Sequence, residues 1–175
     1  KKIWWEIFHL SWPMLITIVS NLVYLKADIF ILSLLRTQAE VGVYGAAYKV
    51  VDILVSLPFM LAGLMLPLLV KYNASKLSAK FASALQTMFD VTGIASWPIL
   101  AGGFVLATPI MIAIAGSDFV ISGSILRILL LAIVAVYFSC IFTHAIIGLE
   151  KQKLIIIYFL ITAVSSIPVY YFLIK

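Results

Sequence analysis

Four ionisable residues stand inside the first two long apolar stretches of the chain, Lys26 and Asp28 in one, Lys49 and Asp52 in the next. Charges placed so deep in apolar sequence mark substrate, ion or proton pathways, or pair with one another. Each costs about 2.5–3.5 kcal/mol at the centre of a spanning helix, so a purely structural segment seldom carries four.

Spacing sorts them by face. Lys49 and Asp52 are three apart and share one side of a helix. Lys26 and Asp28 are two apart and point to nearly opposite sides. Asn21, Tyr24 and Asp28, at i, i+3 and i+7, form a polar stripe expected to line an aqueous cavity. A tight turn over 36–42 would set Lys26 level with Asp52 and Asp28 nearly level with Lys49, roughly 15–20 Å from the hairpin tip. Two readings follow: the charges bind substrate or a coupling ion, with Asp28, Asp52 and Asp90 as the candidate coupling acids, or they close into an interhelical network that only fixes packing. Neutralising Lys26 and Asp52 together separates the two. Transport that survives the pair of changes, when either alone abolishes folding, belongs to a network.

Other polar residues carry less. Arg127, two turns into a later apolar run, either snorkels to the interface, the favoured reading, or adds an outer cation to the cavity. Asp90, with Gln86 one turn before it, is either an ion site or a carboxylate near the headgroups. His9 and His144 lack ligand-like spacing, so no metal site is expected, and His144 reads as interfacial. The one cysteine, Cys140, lies in an apolar run and reads as a core residue, with no disulfide possible within the chain. Gly42, Gly45, Ala46 and Ala47 offer a small-residue face for close helix packing. No catalytic triad, phosphate loop, haem motif or zinc-protease motif is present, and no cofactor is expected.

The elements that position these residues must be membrane helices. Of 175 residues, 65% are hydrophobic and 11% charged, and the mean hydropathy is +1.20. Twelve cations and seven acids could not cover a water-facing surface of this size. The net charge of +5 finds its use at the membrane surface, and nucleic acid is discarded as a partner. The apolar runs are too long for barrel strands. The pattern predicts an all-α polytopic bundle forming one membrane domain over 1–175. Five spans are expected, at about 12–35, 43–70, 84–107, 121–148 and 154–174, after an interfacial segment over 1–10 rich in Lys and Trp. Connections are expected at 36–42, 71–80, 109–119 and 150–153.

Seven cations (Lys1, Lys2, Lys71, Lys76, Lys80, Lys151 and Lys153) fall on one side and three (Arg36, Arg127 and Lys175) on the other. The N-terminus is therefore predicted to be cytoplasmic, in a multi-pass protein of the cell (inner) membrane. Pro58 and Pro67 in the second span, Pro98 in the third and Pro168 in the fifth are each expected to remove an intrahelical bond and bend the helix. The chain starts with Lys1-Lys2 and stops after an apolar run, which reads as a fragment of a longer protein.

Several stretches resemble a known family. Asp28-Ile29-Phe30-Ile31-Leu32-Ser33-Leu34-Leu35, then Glu40-Val41-Gly42-Val43-Tyr44-Gly45-Ala46-Ala47-Tyr48-Lys49, then Leu66-Pro67-Leu68 are similar to the polysaccharide biosynthesis family of lipid-linked oligosaccharide flippases. These lie within the multidrug/oligosaccharidyl-lipid/polysaccharide exporter superfamily. Ala115-Gly116-Ser117-Asp118-Phe119 with Leu126-Arg127-Ile128-Leu129 resembles the family's Gly-x-acidic-Phe loop and following helix start, and Gly148-Leu149-Glu150-Lys151-Gln152-Lys153 its Gly-x-x-Lys turn.

The resemblance implies half of a two-bundle transporter fold: the second bundle up to its fifth helix, with the N-terminal bundle of the same protein as its obligate partner. It implies alternating-access movement of an undecaprenyl-pyrophosphate-linked oligosaccharide for surface polysaccharide biosynthesis. Lys26 and Lys49 would hold the pyrophosphate, with Asn21, Tyr24, Asp28, Asp52 and Arg127 beside them. The lipid bilayer and polysaccharide assembly proteins are the other implied partners, and no enzyme activity is expected. The rival readings are a drug/cation antiporter or peptidoglycan-precursor flippase on the same fold and, from another class, a membrane-embedded glycan polymerase or ligase. The last needs a large outer loop with acid or base groups, whereas the longest outer connection expected, 109–119, has Asp118 alone.

Overall fold

The computed structural model describes the chain path of residues 2–174; side chains are described for 26–172 and, before them, at positions 4, 5, 12, 15, 18, 19, 22 and 23. Five helices follow one another: α1 (Lys2–Leu35), α2 (Gln38–Ala74), α3 (Ser78–Ala115), α4 (Val120–Gly148) and α5 (Gln152–Ile174). A single 3-10 turn, Ser117–Phe119, joins α3 to α4. No strand occurs among the described residues. Hydrocarbon offers no partner to a backbone N–H or carbonyl, so apolar runs of this length pair their polar groups internally as helices. Four helices among the described residues are long and apolar enough to cross a membrane: α2, α3, the 117–148 segment built on α4, and α5. The chain is a multi-pass membrane protein.

The helices outrun the expected spans. At about 1.5 Å per residue, α2 with 37 residues and α3 with 38 reach about 55 Å, against about 30 Å of hydrocarbon. Both ends of α2 and the start of α3 carry polar residues that hydropathy leaves outside a span but that stay helical, and α3 ends in the apolar turns 109–115. The first connection therefore shrinks from 36–42 to Arg36 and Thr37, and the second from 71–80 to residues 75–77. A reciprocal cap starts α2, in which the Thr37 N–H donates to Glu40 Oε2 at 3.0 Å and the Glu40 N–H donates to Thr37 Oγ1 at 3.4 Å. The expected connection 109–119 is helical as far as Ala115, and Gly116, at φ 100°, ends the helix. Pro58, Pro67, Pro98, Pro109 and Pro168 all lie inside continuous helices, since each ring removes one ladder bond and leaves those on either side.

The chain divides into two compact units. One is Lys1–Val41 with Lys151–Lys175, in which α1 packs along α5. The other is Gly42–Glu150, holding the rest of α2 with α3 and α4. In the three-helix unit α4 is central. One buried cluster joins Ala47 and Val51 of α2 and Ala107 and Met111 of α3 to Leu126, Leu130, Ile133 and Tyr137 of α4. A second joins Ala62 and Leu69, Met88, and Cys140 with Ile141. Cys140 is a core residue, as expected.

Close approach of the helices rests on two glycines. A Cβ on Gly123 would lie 2.7 Å from the Thr108 Cα, and one on Gly148 would lie 2.8 Å from the Leu69 Cβ. Of the small-residue face expected at Gly42, Gly45, Ala46 and Ala47, Ala47 is fully buried and Ala46 packs on the same cluster, whereas Gly42 and Gly45 meet open space.

Candidate functional site

The buried positions of α2 recur at helical spacing: Ala47, Val51, Pro58, Ala62 and Leu69. At about 100° per residue, Lys49 and Asp52 fall on the opposite side, and both are exposed. Ser56, Gly63 and Pro67 continue the same outward stripe. The outward face of α2 thus carries a cation, an acid and a hydroxyl in a helix that is otherwise apolar enough for lipid. Gly42 and Gly45 flank the charges with open space around them.

Two side chains of α4 fix this segment from behind. The buried Ser122 hydroxyl donates to the Val43 carbonyl at 2.7 Å, and the Tyr137 hydroxyl donates to the Leu54 carbonyl at 2.8 Å. The second bond has a local cause. Pro58 has no N–H, so the carbonyl four residues before it, that of Leu54, lacks its helical donor. Tyr137 supplies one. The two bonds bracket Lys49 and Asp52, and packing of Ala47 and Val51 fills the interval.

Arg127 is half-buried. Its Nε donates to the Phe104 carbonyl at 3.1 Å, its Nη2 to Thr108 Oγ1 at 3.3 Å, and the guanidinium stands 5.9 Å from the centre of the Phe104 ring. Gly123 meets Thr108 and Gly103 meets Leu130, which puts Arg127 at the depth of its own partners. The guanidinium docks across to α3, and its reach to Thr108, level with Gly123, runs toward the start of α4, the direction a snorkelling side chain takes.

A family model for polysaccharide biosynthesis proteins matches residues 1–124, a stretch that holds Lys26, Asp28, Lys49, Asp52 and Asp90. The chain belongs to that family. Comparison with curated proteins and with solved structures gives no match.

In this polysaccharide biosynthesis protein the other expected site residues lie on α1 and α3. Lys26 and Asp28 are half-buried on α1, and Asp28 Oδ1 accepts the Ile29 N–H at 2.8 Å. They belong to the α1–α5 unit, and Lys49 and Asp52 to the three-helix unit. Asn21 and Tyr24 lie on α1 with side chains outside the described residues, as does that of His9. Asp90 is exposed on α3, where Gln86 Nε2 donates to its Oδ1 at 2.7 Å.

His144, expected at the interface, is half-buried within the three-helix unit. Its Nδ1 is 2.8 Å from the Cys140 carbonyl and its ring meets Phe59 edge-on at 6.0 Å. A carbonyl only accepts, so Nδ1 donates in this bond. No group of His, Cys, Asp and Glu among the described residues is able to hold a metal ion.

Sequence reasoning passed over Ser122 and Tyr137. The signal was Pro58: a proline inside a span announces one carbonyl, four residues earlier, that needs a donor from another helix.

Proposed function

We propose that the protein is the transport unit, or part of it, that moves an undecaprenyl-pyrophosphate-linked oligosaccharide across the cell membrane without altering it chemically. The observation that carries this reading is the outward face of α2, where Lys49 and Asp52 stand exposed on a membrane helix whose opposite side is packed. A charge pair turned toward hydrocarbon would be costly, so such a face belongs against water or a polar ligand. Membership of a polysaccharide biosynthesis family supports a role in polysaccharide biosynthesis, and in this reading the cargo is a sugar carried on a lipid phosphate.

In this reading the Lys49 ammonium binds phosphate oxygens and Asp52, one turn on, holds that ammonium ready when no cargo is bound or takes part in ion coupling. Lys26 and Asp28 on α1 add a second cation and acid of the same kind. Arg127 contributes positive charge nearer the outer end of its helix, the N-terminus is cytoplasmic, and the other bundle of a two-bundle fold completes the path.

The test is transfer of a fluorescent lipid-linked sugar between leaflets of proteoliposomes containing the intact protein. Lys49→Ala is expected to abolish transfer and Lys49→Arg to keep most of it, with the melting temperature unchanged in both. Transfer that is indifferent to Lys49→Ala, or drug efflux by the same vesicles in place of sugar transfer, would overturn the reading.

A further inference from the structure

From Ile53 through Phe89 the chain has three charged residues, and all are lysines: Lys71, Lys76 and Lys80. They gather at one turn. Lys71 lies in the last turn of α2, Lys80 in the first turn of α3, and Lys76 at the apex between them, all exposed. The three-residue connection sets Lys71 and Lys80 at about equal height on antiparallel helices, with Lys76 about a turn further out. Both helices are long enough to cross the bilayer and end here, so the turn stands at or beyond the headgroup layer. The acid at the same end of this unit is Glu150, two residues past the Gly148 that packs on Leu69 and Phe81. Three cations against one acid leave the patch positive.

Two backbone bonds close the apex. The Leu77 N–H donates to the Tyr72 carbonyl at 2.9 Å and the Lys76 N–H to the Asn73 carbonyl at 3.0 Å, the pair of bonds by which a helix ends on a left-handed residue. Lys76 is that residue, at φ 54°. Glycine takes this conformation without cost and lysine does not. Glu150, past the end of α4, takes the same conformation at φ 59°.

We propose that the α2–α3 turn binds the phosphate headgroups of anionic phospholipids through Lys71, Lys76 and Lys80, and that Lys76 trades backbone ease for that charge. The lysine ammonium is a compact cation suited to a phosphate monoanion, and a headgroup with no cation of its own leaves the attraction uncompensated. The surface is separate from the charged face of α2 and does not depend on what the protein carries.

The purified full chain in neutral detergent is titrated with phosphatidylglycerol or phosphatidylcholine, with retained lipid counted by native mass spectrometry and stability followed by melting temperature. The wild-type chain is expected to retain phosphatidylglycerol over phosphatidylcholine by more than about tenfold, and each Lys→Gln change to lower that preference about fivefold. Replacing all three lysines by arginine keeps it. Lys76→Gly splits the readouts, raising the melting temperature in neutral detergent while lowering the preference for phosphatidylglycerol. A turn that is only structural would gain stability from Lys76→Gly with no change in lipid retention. That outcome overturns the proposal, as does equal retention of the two lipids by the wild-type chain, or a preference that survives Lys71→Gln, Lys76→Gln and Lys80→Gln together.

Discussion

The Tyr137 hydroxyl sits 2.8 Å from the Leu54 carbonyl, four residues before Pro58 in α2. A sequence choice on one helix is thereby answered by a side chain on another. Pro58 is buried, so the carbonyl it frees faces no water. The bond lies two residues from Asp52, which ties the proposed binding face to the packing behind it.

Tyr137→Phe should therefore cost about 1–3 kcal/mol, the penalty for a buried acceptor left without a donor. In a Pro58→Ala background the helix regains its own N–H and the same change should cost much less. Unfolding in mixed detergent of the four proteins of this cycle measures the difference. Equal costs in both backgrounds would show that Tyr137 acts through packing alone.

Ser122→Ala should be milder, about 1 kcal/mol, although its bond to the Val43 carbonyl is no longer, at 2.7 Å. Val43 has no proline four residues on, so the amide of Ala47 remains as its helical donor. Ser122→Ala ranked above Tyr137→Phe in the same unfolding assay would refute this account.

Thr92 is buried in α3, and its Oγ1 has no partner among the described residues. Thr92→Val keeps the shape and removes the unsatisfied group, and should raise stability by about 1 kcal/mol. A loss of stability would mean that the hydroxyl is bonded.

Gly123→Ala would drive a methyl to 2.7 Å from the Thr108 Cα, where backbone, and not a movable side-chain end, must give way. A loss of about 1–3 kcal/mol is expected, with loosening of the Arg127 contacts to Thr108 and Phe104 next to it. Gly102→Ala, on the same α3 but meeting open space, should be neutral or slightly stabilising. Thermal melts of the two variants side by side make the comparison.

Composition and the length of the apolar runs were enough to read helices in lipid, because hydrocarbon leaves the backbone no other way to pair. The 3.6-residue period put Lys49 and Asp52 on one face, and α2 keeps them there, since helical phase is a local property. Helix ends were less legible. Hydropathy follows the membrane edge, whereas α2 runs through polar sequence from the cap at Thr37 to the left-handed Lys76.

What lay beyond the sequence was every relation between helices. Gly42 and Gly45 look as fit for close packing as Gly123 and Gly148, and only the second pair meets a neighbour. Arg127 gave no sign in sequence of its partners, the Phe104 carbonyl and the Thr108 hydroxyl on α3. Pro58 announced an orphaned carbonyl without saying that Tyr137, 83 residues from Leu54, would meet it. Local physics fixes which residues share a face. Which face is buried, and against what, depends on groups distant in sequence that pair only once the helices have packed.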